Sequence, residues 1–474
     1  MHFDLLIENG NVHTSEGFLP TDIGVIGEKI ACIGRLTGSS AERKLDASGK
    51  FILPGMIDFH THIREPGQEF KEDYRTGTRA AAHGGVTTVC VMPNNLLGGI
   101  ASPETFRKAI ACGEAGAVVD FAPIPSPLGF HKGTLPELVR EGASYFKIMQ
   151  MNGKQPLEES FRCADAWELD QCFAEAAKTG KYVSIHPMNM AWYLGNVAKI
   201  NADTAPQNLM NVLHKLYGEE EMSSAAYELA YFFRKNRCKW WALHCWHRGY
   251  IDLIRMLKKA GDMDILASVE ILPTSIRCFD TLYNRADGST IPLGHAAKPD
   301  WDEVWKAVND GTIDVLGSDH SPHLPENYDP GKPFASAQGV EGEDYYGSLL
   351  LDAVNAGKLT LERLAEITSI NGAKALGWMR NAATSSERMP TLPFAIWIRP
   401  GPWMIPSPFT RSPIWIPSMG RPFTERSRTL LSAEKSLWKR TASWRNRDTE
   451  NSFGRTVKKQ KGKRTIARFP SFFT

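Results

Sequence analysis

Two histidines stand two residues apart in MIDFHTH, at positions 60 and 62. Residues i and i+2 of a strand point to one face, so a strand ending in His-x-His sets two imidazoles side by side. Three more candidate ligands close other apolar runs: His186 ends YVSIH, His244 lies in WWALHC and Asp319 ends IDVLGSD. Imidazoles with a carboxylate are natural ligands for zinc or a similar divalent ion. Any one of these residues alone is more often a satisfied structural group. Their recurrence at the ends of separate strands is what argues for a common site. Lys147 is of another kind. In SYFKIMQ, Phe146 and Ile148 share one face and leave Lys147 on the other. An ammonium inside a barrel is costly unless it is paired or chemically altered. A neutral lysine there can take up carbon dioxide as a carbamate, an anionic bidentate metal bridge. The plainer alternative is a lysine snorkelling to the rim.

These residues need elements to hold them. Strands are expected at 56–62, 86–92, 118–124, 144–150, 182–186, 240–245, 265–270 and 313–319. Between them lie segments of helical character, such as EDYRTGTRAAAHGG, DQCFAEAAKTG, SSAAYELAYFFRKN and IDLIRMLKKAG. Eight strands alternating with helices over about 260 residues match an α/β fold of the (β/α)8 TIM-barrel type, whose active sites form at the C-terminal strand ends. A doubly wound open sheet is the rival, but it gives no reason for eight units. Residues 1–53 read instead as short strands broken by Asn-Gly and Gly turns, a small β-domain of sandwich type. The expected organisation is therefore 1–53 small β-domain, 54–377 barrel and 378–474 tail.

The 474 residues are 42% hydrophobic and 23% charged, an ordinary globular composition. There is no apolar run long enough for a bilayer span, no secretory pattern at the N-terminus, and no GxGxxG or P-loop motif. The eight cysteines form no CxxC pair, which fits reduced thiols and a cytoplasmic location. The net charge of +2 conceals an asymmetry: residues 378–474 hold 19 Lys+Arg against 5 Asp+Glu, leaving 36 against 48 in the rest. No recognised nucleic-acid module accompanies the basic tail, so neither nucleic acid nor membrane is an expected partner.

The segments PGMIDFHTHIREPGQ, GGVTTVCVMPNN, YFKIMQ and LGSDHSPH resemble the cyclic-amidohydrolase branch of the amidohydrolase superfamily, which holds dihydroorotases, hydantoinases (dihydropyrimidinases) and allantoinases. The similarity runs from residue 1 to about 377. It implies a two-metal site, with zinc the expected metal, bridged by carboxylated Lys147 and a hydroxide. His60 and His62 would hold one ion with Asp319, and His186 and His244 the other. His247, in HCWH, competes with His244 for that place. Asp319 would also shuttle the proton from the nucleophile to the leaving ring nitrogen. The implied partner is a small cyclic amide or ureide, and the implied assembly a homo-oligomer, dimer or tetramer. A metal-free scaffold relative is the alternative of another class, but all six ligand positions are filled.

Three residues bear on the ring. Arg64 follows HTH, Asn94 lies in MPNN and His323 closes DHSPH. In the dihydroorotase pattern these positions grip a substrate carboxylate, for which arginine is well suited. The resemblance therefore favours opening of L-dihydroorotate to N-carbamoyl-L-aspartate, with hydantoinase or dihydropyrimidinase and allantoinase activity as alternatives. The FK of YFKIMQ, PMNMAW after His186, and HCWH depart from the dihydroorotase pattern.

After SINGAKALG the match ends. Six of the 13 tryptophans fall in the last 97 residues, with no sustained strand or helix period. Reading the last base of each codon with the first two of the next forces Asp-Asp from Trp403-Met404-Ile405. The same shift allows Asp-Pro-Phe-His-Gly from Trp415 through Gly420 and Gly-x-Asp-Ala-Asp from Ser386 through Thr391. These resemble what the family carries here. The expectation is a frame change near codon 378, with a tail that is disordered or out of frame.

Overall fold

In the N-terminal region, β1 (His2–Thr14) and β2 (Gly17–Ile26) pair antiparallel, with the register closing at Thr14↔Gly17. Gly17 turns the chain at φ 93, a left-handed conformation that favours glycine. Then follow β3 (Lys29–Gly34), β4 (Ser40–Asp46) and β5 (Lys50–Pro54). The computed structural model describes residues 2–27, 29–94, 99–149, 165–203, 209–270, 282–284, 290–292, 300–327, 339, 341–378 and 394–398. Among these, the N-terminal strands form one mixed sheet and not two packed ones: β1 is antiparallel to β2 and parallel to β4 and β5. Ile7, Val12, Ile23, Ala47 and Ile52 are its apolar centre.

Eight further strands run parallel in chain order. They are β6 (Met56–Thr61), β7 (Val86–Val91), β8 (Asp120–Pro123), β9 (Phe146–Met149), β10 (Tyr182–His186), β11 (Lys239–Ala242), β12 (Ile265–Glu270) and, after a small hairpin of β13 (Leu282–Asn284) and β14 (Thr290–Pro292), β15 (Val315–Gly317). β6–β7–β8 and β9–β10–β11–β12–β15 are continuous ladders. Backbone bonds bridge the two gaps. Lys147 N donates to Pro125 O at 3.0 Å across one, and across the other Asp319 N donates to His60 O at 2.8 Å and His62 N to His320 O at 2.7 Å, beside the parallel bridge Thr61↔His320. The ring therefore closes in the order expected of a TIM barrel. Gly317 lets it close, since a Cβ there would lie 2.7 Å from the His60 Cβ.

The two faces of each strand meet different partners. Phe146, Ile148, Val183, Ile185, Trp240, Ala242, Ala267 and Val269 pack outward into the core shared with the helices. Phe59, Cys90, Tyr145, Tyr182, Trp241, Leu266 and Val315 fill the interior, where Tyr145 Oη donates to Phe59 O at 2.6 Å. The helices cover the outside. α1 (Tyr74–His83) and α2 (Pro103–Gly116) begin at Asp73 and Ser102, each joined to a threonine three residues on in a capping box. The other helical stretches read from the sequence are the helices Ala166–Ala177, Glu219–Asn236 and Arg248–Ala260.

Within the tail the described residues hold a strand. Phe394–Ile398 is β16, antiparallel to β5 in the register Ile396↔Ile52. The local run FAIWI is apolar and β-prone although the tail around it is basic, and the edge of β5 supplies its partner. Residues 399–474 lie outside the described residues. Among the described residues no helix is long and apolar enough to cross a membrane, and Cys32, Cys90, Cys112, Cys238 and Cys245 are free thiols.

Candidate active site

The strand ends bring the candidate ligands to one mouth. His60 and His62 leave β6 with their Nε2 atoms 3.2 Å apart. Asp319 Oδ1 lies 3.0 Å from His62 Nε2 and 3.5 Å from His60 Nε2. His244 follows β11, its ring centroid 5.2 Å from that of His60 and 4.6 Å from that of His186. Lys147 is wholly buried on the interior face of β9, and its Nζ has no hydrogen-bond partner among the described residues. His244 (φ 60) and Asp319 (φ 54) adopt left-handed backbone, rare for such residues and typical of functional strain.

The histidine tautomers follow from what faces Nδ1. His62 Nδ1 donates to Asn94 Oδ1 at 2.5 Å. His244 Nδ1 lies 2.8 Å, and His60 Nδ1 3.7 Å, from the Glu270 carboxylate. Nδ1 of His62 and of His244 then carries the proton, and Nε2 keeps its lone pair. His62 Nε2 and Asp319 Oδ1, 3.0 Å apart, thus face one another as acceptors with no proton to share. A cation between them resolves that conflict, so the donor set fits a metal ion. His60, His62 and Asp319 form one possible ligand group, and His60, His244 and Glu270 another.

Electrostatics support neutral ligands. Burial, assisted by the charge of Lys147, holds His60 down to about 4. Burial holds His244 to about 4 and lowers His62 as well. Burial also brings Lys147 down to about 8 against the pull of Asp319 and Glu270, so neutral amine is accessible near physiological pH.

Two predicted residues sit differently from expectation. Asn94 faces His62 Nδ1 through its carbonyl, as an orienting group. His247 turns away from the mouth: its Nε2 bonds Tyr217 O at 3.0 Å, so His244 alone of the pair faces His186 and His60. Arg64 and His323 do meet. Arg64 Nη2 lies 2.9 Å from His323 Nε2, and the guanidinium also donates to Ser321 Oγ and Pro322 O.

Glu270 escaped the sequence reading. It ends β12 in ILASVE, the same rim signal that marks the ligands. Its carboxylate faces the imidazoles of His244 and His60 and also accepts from His244 N at 2.6 Å. Burial alone would raise its carboxyl, but His244 and His60 hold it well below the usual range. Asp58 was also passed over. Wholly buried, it accepts from His60 N at 3.0 Å and Ser318 N at 2.8 Å, tying β6 to the turn that carries Asp319.

Residues 51–383 match the family model described as "Amidohydrolase family". The chain belongs to the amidohydrolase family. Its curated relatives include an allantoinase of Bacillus licheniformis, 29% identical over 387 residues, covering 79% of this chain and 83% of the relative. A dihydroorotase of Lactobacillus leichmannii is 28% identical over 385 residues, covering 79% and 84%. Among solved structures, the L-hydantoinase (dihydropyrimidinase) of Arthrobacter aurescens superposes with TM-score 0.69 at 24% identity over 79% of this chain and 82% of that one. A D-hydantoinase from Thermus sp. gives 0.66 at 24% over 78% and 81%. This amidohydrolase therefore has the barrel and N-terminal β-domain of those structures. It is a hydrolase of the branch acting on carbon–nitrogen bonds in cyclic amides.

Proposed function

We propose that this amidohydrolase opens L-dihydroorotate to N-carbamoyl-L-aspartate, reversibly, with two divalent metal ions, zinc by ligand type. The observation that carries the reading is the Arg64–His323 contact beside His62: a buried guanidinium at the mouth suits a ring that bears a carboxylate. His60, His62 and Asp319 would hold one ion, His186 and His244 the other. Lys147 would bridge as a carbamate, formed when its neutral amine adds to carbon dioxide and releases a proton. The carbamate places a negative charge where an ammonium would lie against three imidazoles. When bound, such ions supply an acidified water and a polarised carbonyl.

The chain's own part is positional and protonic. Glu270 and Asn94 fix the imidazole tautomers. Asp319, whose side chain is 16% exposed at the mouth, takes the proton from the attacking water and returns it to the ring nitrogen as the C–N bond breaks. Water adds across the amide, and nothing is oxidised or reduced.

The allantoinase reading draws on a relative 29% identical, against 28% for the dihydroorotase. Metal-loaded protein assayed with L-dihydroorotate, allantoin and a 5-substituted hydantoin side by side separates the readings. Preference for dihydroorotate is expected, and preference for either other ring would overturn the assignment. The same reading extends to the tail. The Asp-Asp and Gly forced by a shifted frame support a frame change near codon 378, and a continuous frame on resequencing the gene would sink it.

A further inference from the structure

His320 follows Asp319 and is tied at four points. Its backbone N donates to Ser318 Oγ at 2.8 Å, and its carbonyl accepts from His62 N at 2.7 Å. Its Nδ1 accepts from Gly342 N at 3.1 Å and from Glu343 N at 3.4 Å. A backbone N–H only donates, so Nδ1 holds the lone pair and Nε2 the proton. Nε2 then donates to the Glu72 carboxylate, whose two oxygens both lie 3.0 Å away. Glu72 stands in the loop between β6 and α1, which also carries Arg64. Gly77 makes room for it, since a Cβ there would lie 2.7 Å from Glu72 Oε2.

Between Ser318 and His320, Asp319 holds its left-handed backbone at φ 54. A residue other than glycine keeps that conformation only where its surroundings over-determine it. Asp58 secures one side of the turn by accepting from Ser318 N at 2.8 Å. Glu72, through His320, secures the other. We propose that Glu72 and His320 are positioning residues for proton transfer at Asp319. The carboxylate fixes the imidazole, the imidazole fixes the turn, and the turn aims the Asp319 side chain at the mouth. Both act through Asp319 and not on the reacting atoms. The inference rests on the reading of Asp319 as the proton shuttle and on no particular ring.

The test uses full-length, metal-loaded protein and whichever of L-dihydroorotate, allantoin and a 5-substituted hydantoin wild type opens fastest. Glu72→Leu leaves the His320 N–H buried without its acceptor. Its kcat should fall about tenfold or more, the scale of such a loss, with KM and bound metal little changed. Glu72→Gln keeps a carbonyl acceptor and should recover most of kcat. His320→Asn keeps an acceptor near Nδ1 but loses the Nε2 donor, so it should behave as Glu72→Leu does. Groups that act through one residue are not additive. Glu72→Leu should therefore cost about twofold or less when added to Asp319→Asn. The same tenfold loss on both backgrounds, or a loss explained by KM or bound metal, would overturn the proposal and leave the pair as fold support. Wild-type kcat in Glu72→Leu and His320→Asn would overturn it outright. Full activity of Asp319→Asn would instead remove the shuttle reading itself. A crystal structure of metal-loaded Glu72→Leu gives a readout independent of turnover. The Asp319 carboxylate should leave its approach to His62 Nε2, and an unmoved carboxylate would count against the pair.

Discussion

Where β6 ends, His60, His62 and Asp319 lie within 3.0–3.5 Å of one another. A few residues further along the same segment, Arg64 and Lys71 meet His323 from the loop after β15, at 2.9 and 3.2 Å. The two clusters differ in sign. The first gathers lone pairs and a carboxylate, and such buried acceptors call for a cation, because a buried polar group without a complementary partner costs free energy. The second gathers two cationic side chains about an imidazole, and Arg64 already donates to Ser321 Oγ and Pro322 O. A ring amide carrying a carboxylate would span both, with its carbonyl toward the cations and its carboxylate toward the donors. On the proposed function the comparison would separate two duties, chemistry at the first cluster and selection at the second.

The largest effect expected comes from the one side chain that is both acceptor and acid–base group. Asp319→Asn keeps the shape but cannot take a proton, so kcat should fall by about 10²–10⁴. Metal analysis should find at least the second ion retained. Full activity with Asn at 319 would remove the shuttle and leave Asp319 as a ligand only. Arg64→Gln attacks the second cluster. It should lower kcat/KM for a carboxylate ring by roughly ten- to a hundredfold, the scale of a lost charge-assisted contact in a buried site. An equal loss on a neutral ring would mean that Arg64 merely holds the Ser321–Pro322 turn in place.

The first cluster was more legible in the sequence than the second, for a physical reason. Barrel strands are buried on both faces, so they read as apolar runs, and a polar residue at the end of such a run stands out. His60, His62, His186, His244 and Asp319 were visible in that way, and Lys147 was visible because Phe146 and Ile148 fix the outward face of β9. Glu270 gives the same signal, but its meaning depends on β11 lying beside β12, so that His244 meets it. Nothing local states that pairing. HCWH left two histidines open, and the left-handed turn at His244 decides which one faces the mouth. Lys71 was hidden in a loop whose course no periodicity describes. Asn94 is expected at the substrate from its place in MPNN, and its carbonyl also faces His62 Nδ1. In the tail, basic composition masked FAIWI, a strand that needs the edge of β5 to exist.

Glu270 tests whether the acceptor cluster depends on outer support. Glu270→Gln keeps an acceptor for His244 Nδ1 but loses the negative charge that faces both imidazoles. Metal affinity should weaken by about 10- to 100-fold, the usual cost of removing such a partner, as read by competition with a chromogenic chelator. Because the carboxylate faces His60 and His244, which the proposed function gives to different ions, both ions should weaken together. Loss of one ion alone would assign Glu270 to a single half-site, and unchanged affinity would leave it a structural link between β11 and β12.

Glu221 supplies the contrast that sharpens the comparison, because it is a buried acceptor for which the fold chose neutralisation over a ligand. Its carboxyl accepts from Asn189 N at 2.7 Å, and burial pushes it up to about 8 despite that bond. A carboxyl raised in the folded state contributes nothing below its unfolded value near 4.5, where both states are protonated. As pH rises from there toward 8, the unfolded chain ionises while the folded chain resists, so stability falls across that window. Glu221→Gln removes the titration and keeps the acceptor. The variant should match wild type near pH 4.5 and gain on the order of a few kcal/mol by pH 8, seen as a melting temperature several degrees higher. Equal pH dependence in both proteins would mean that the carboxylate finds a cation in the folded state, and that Glu221 belongs with the first cluster after all.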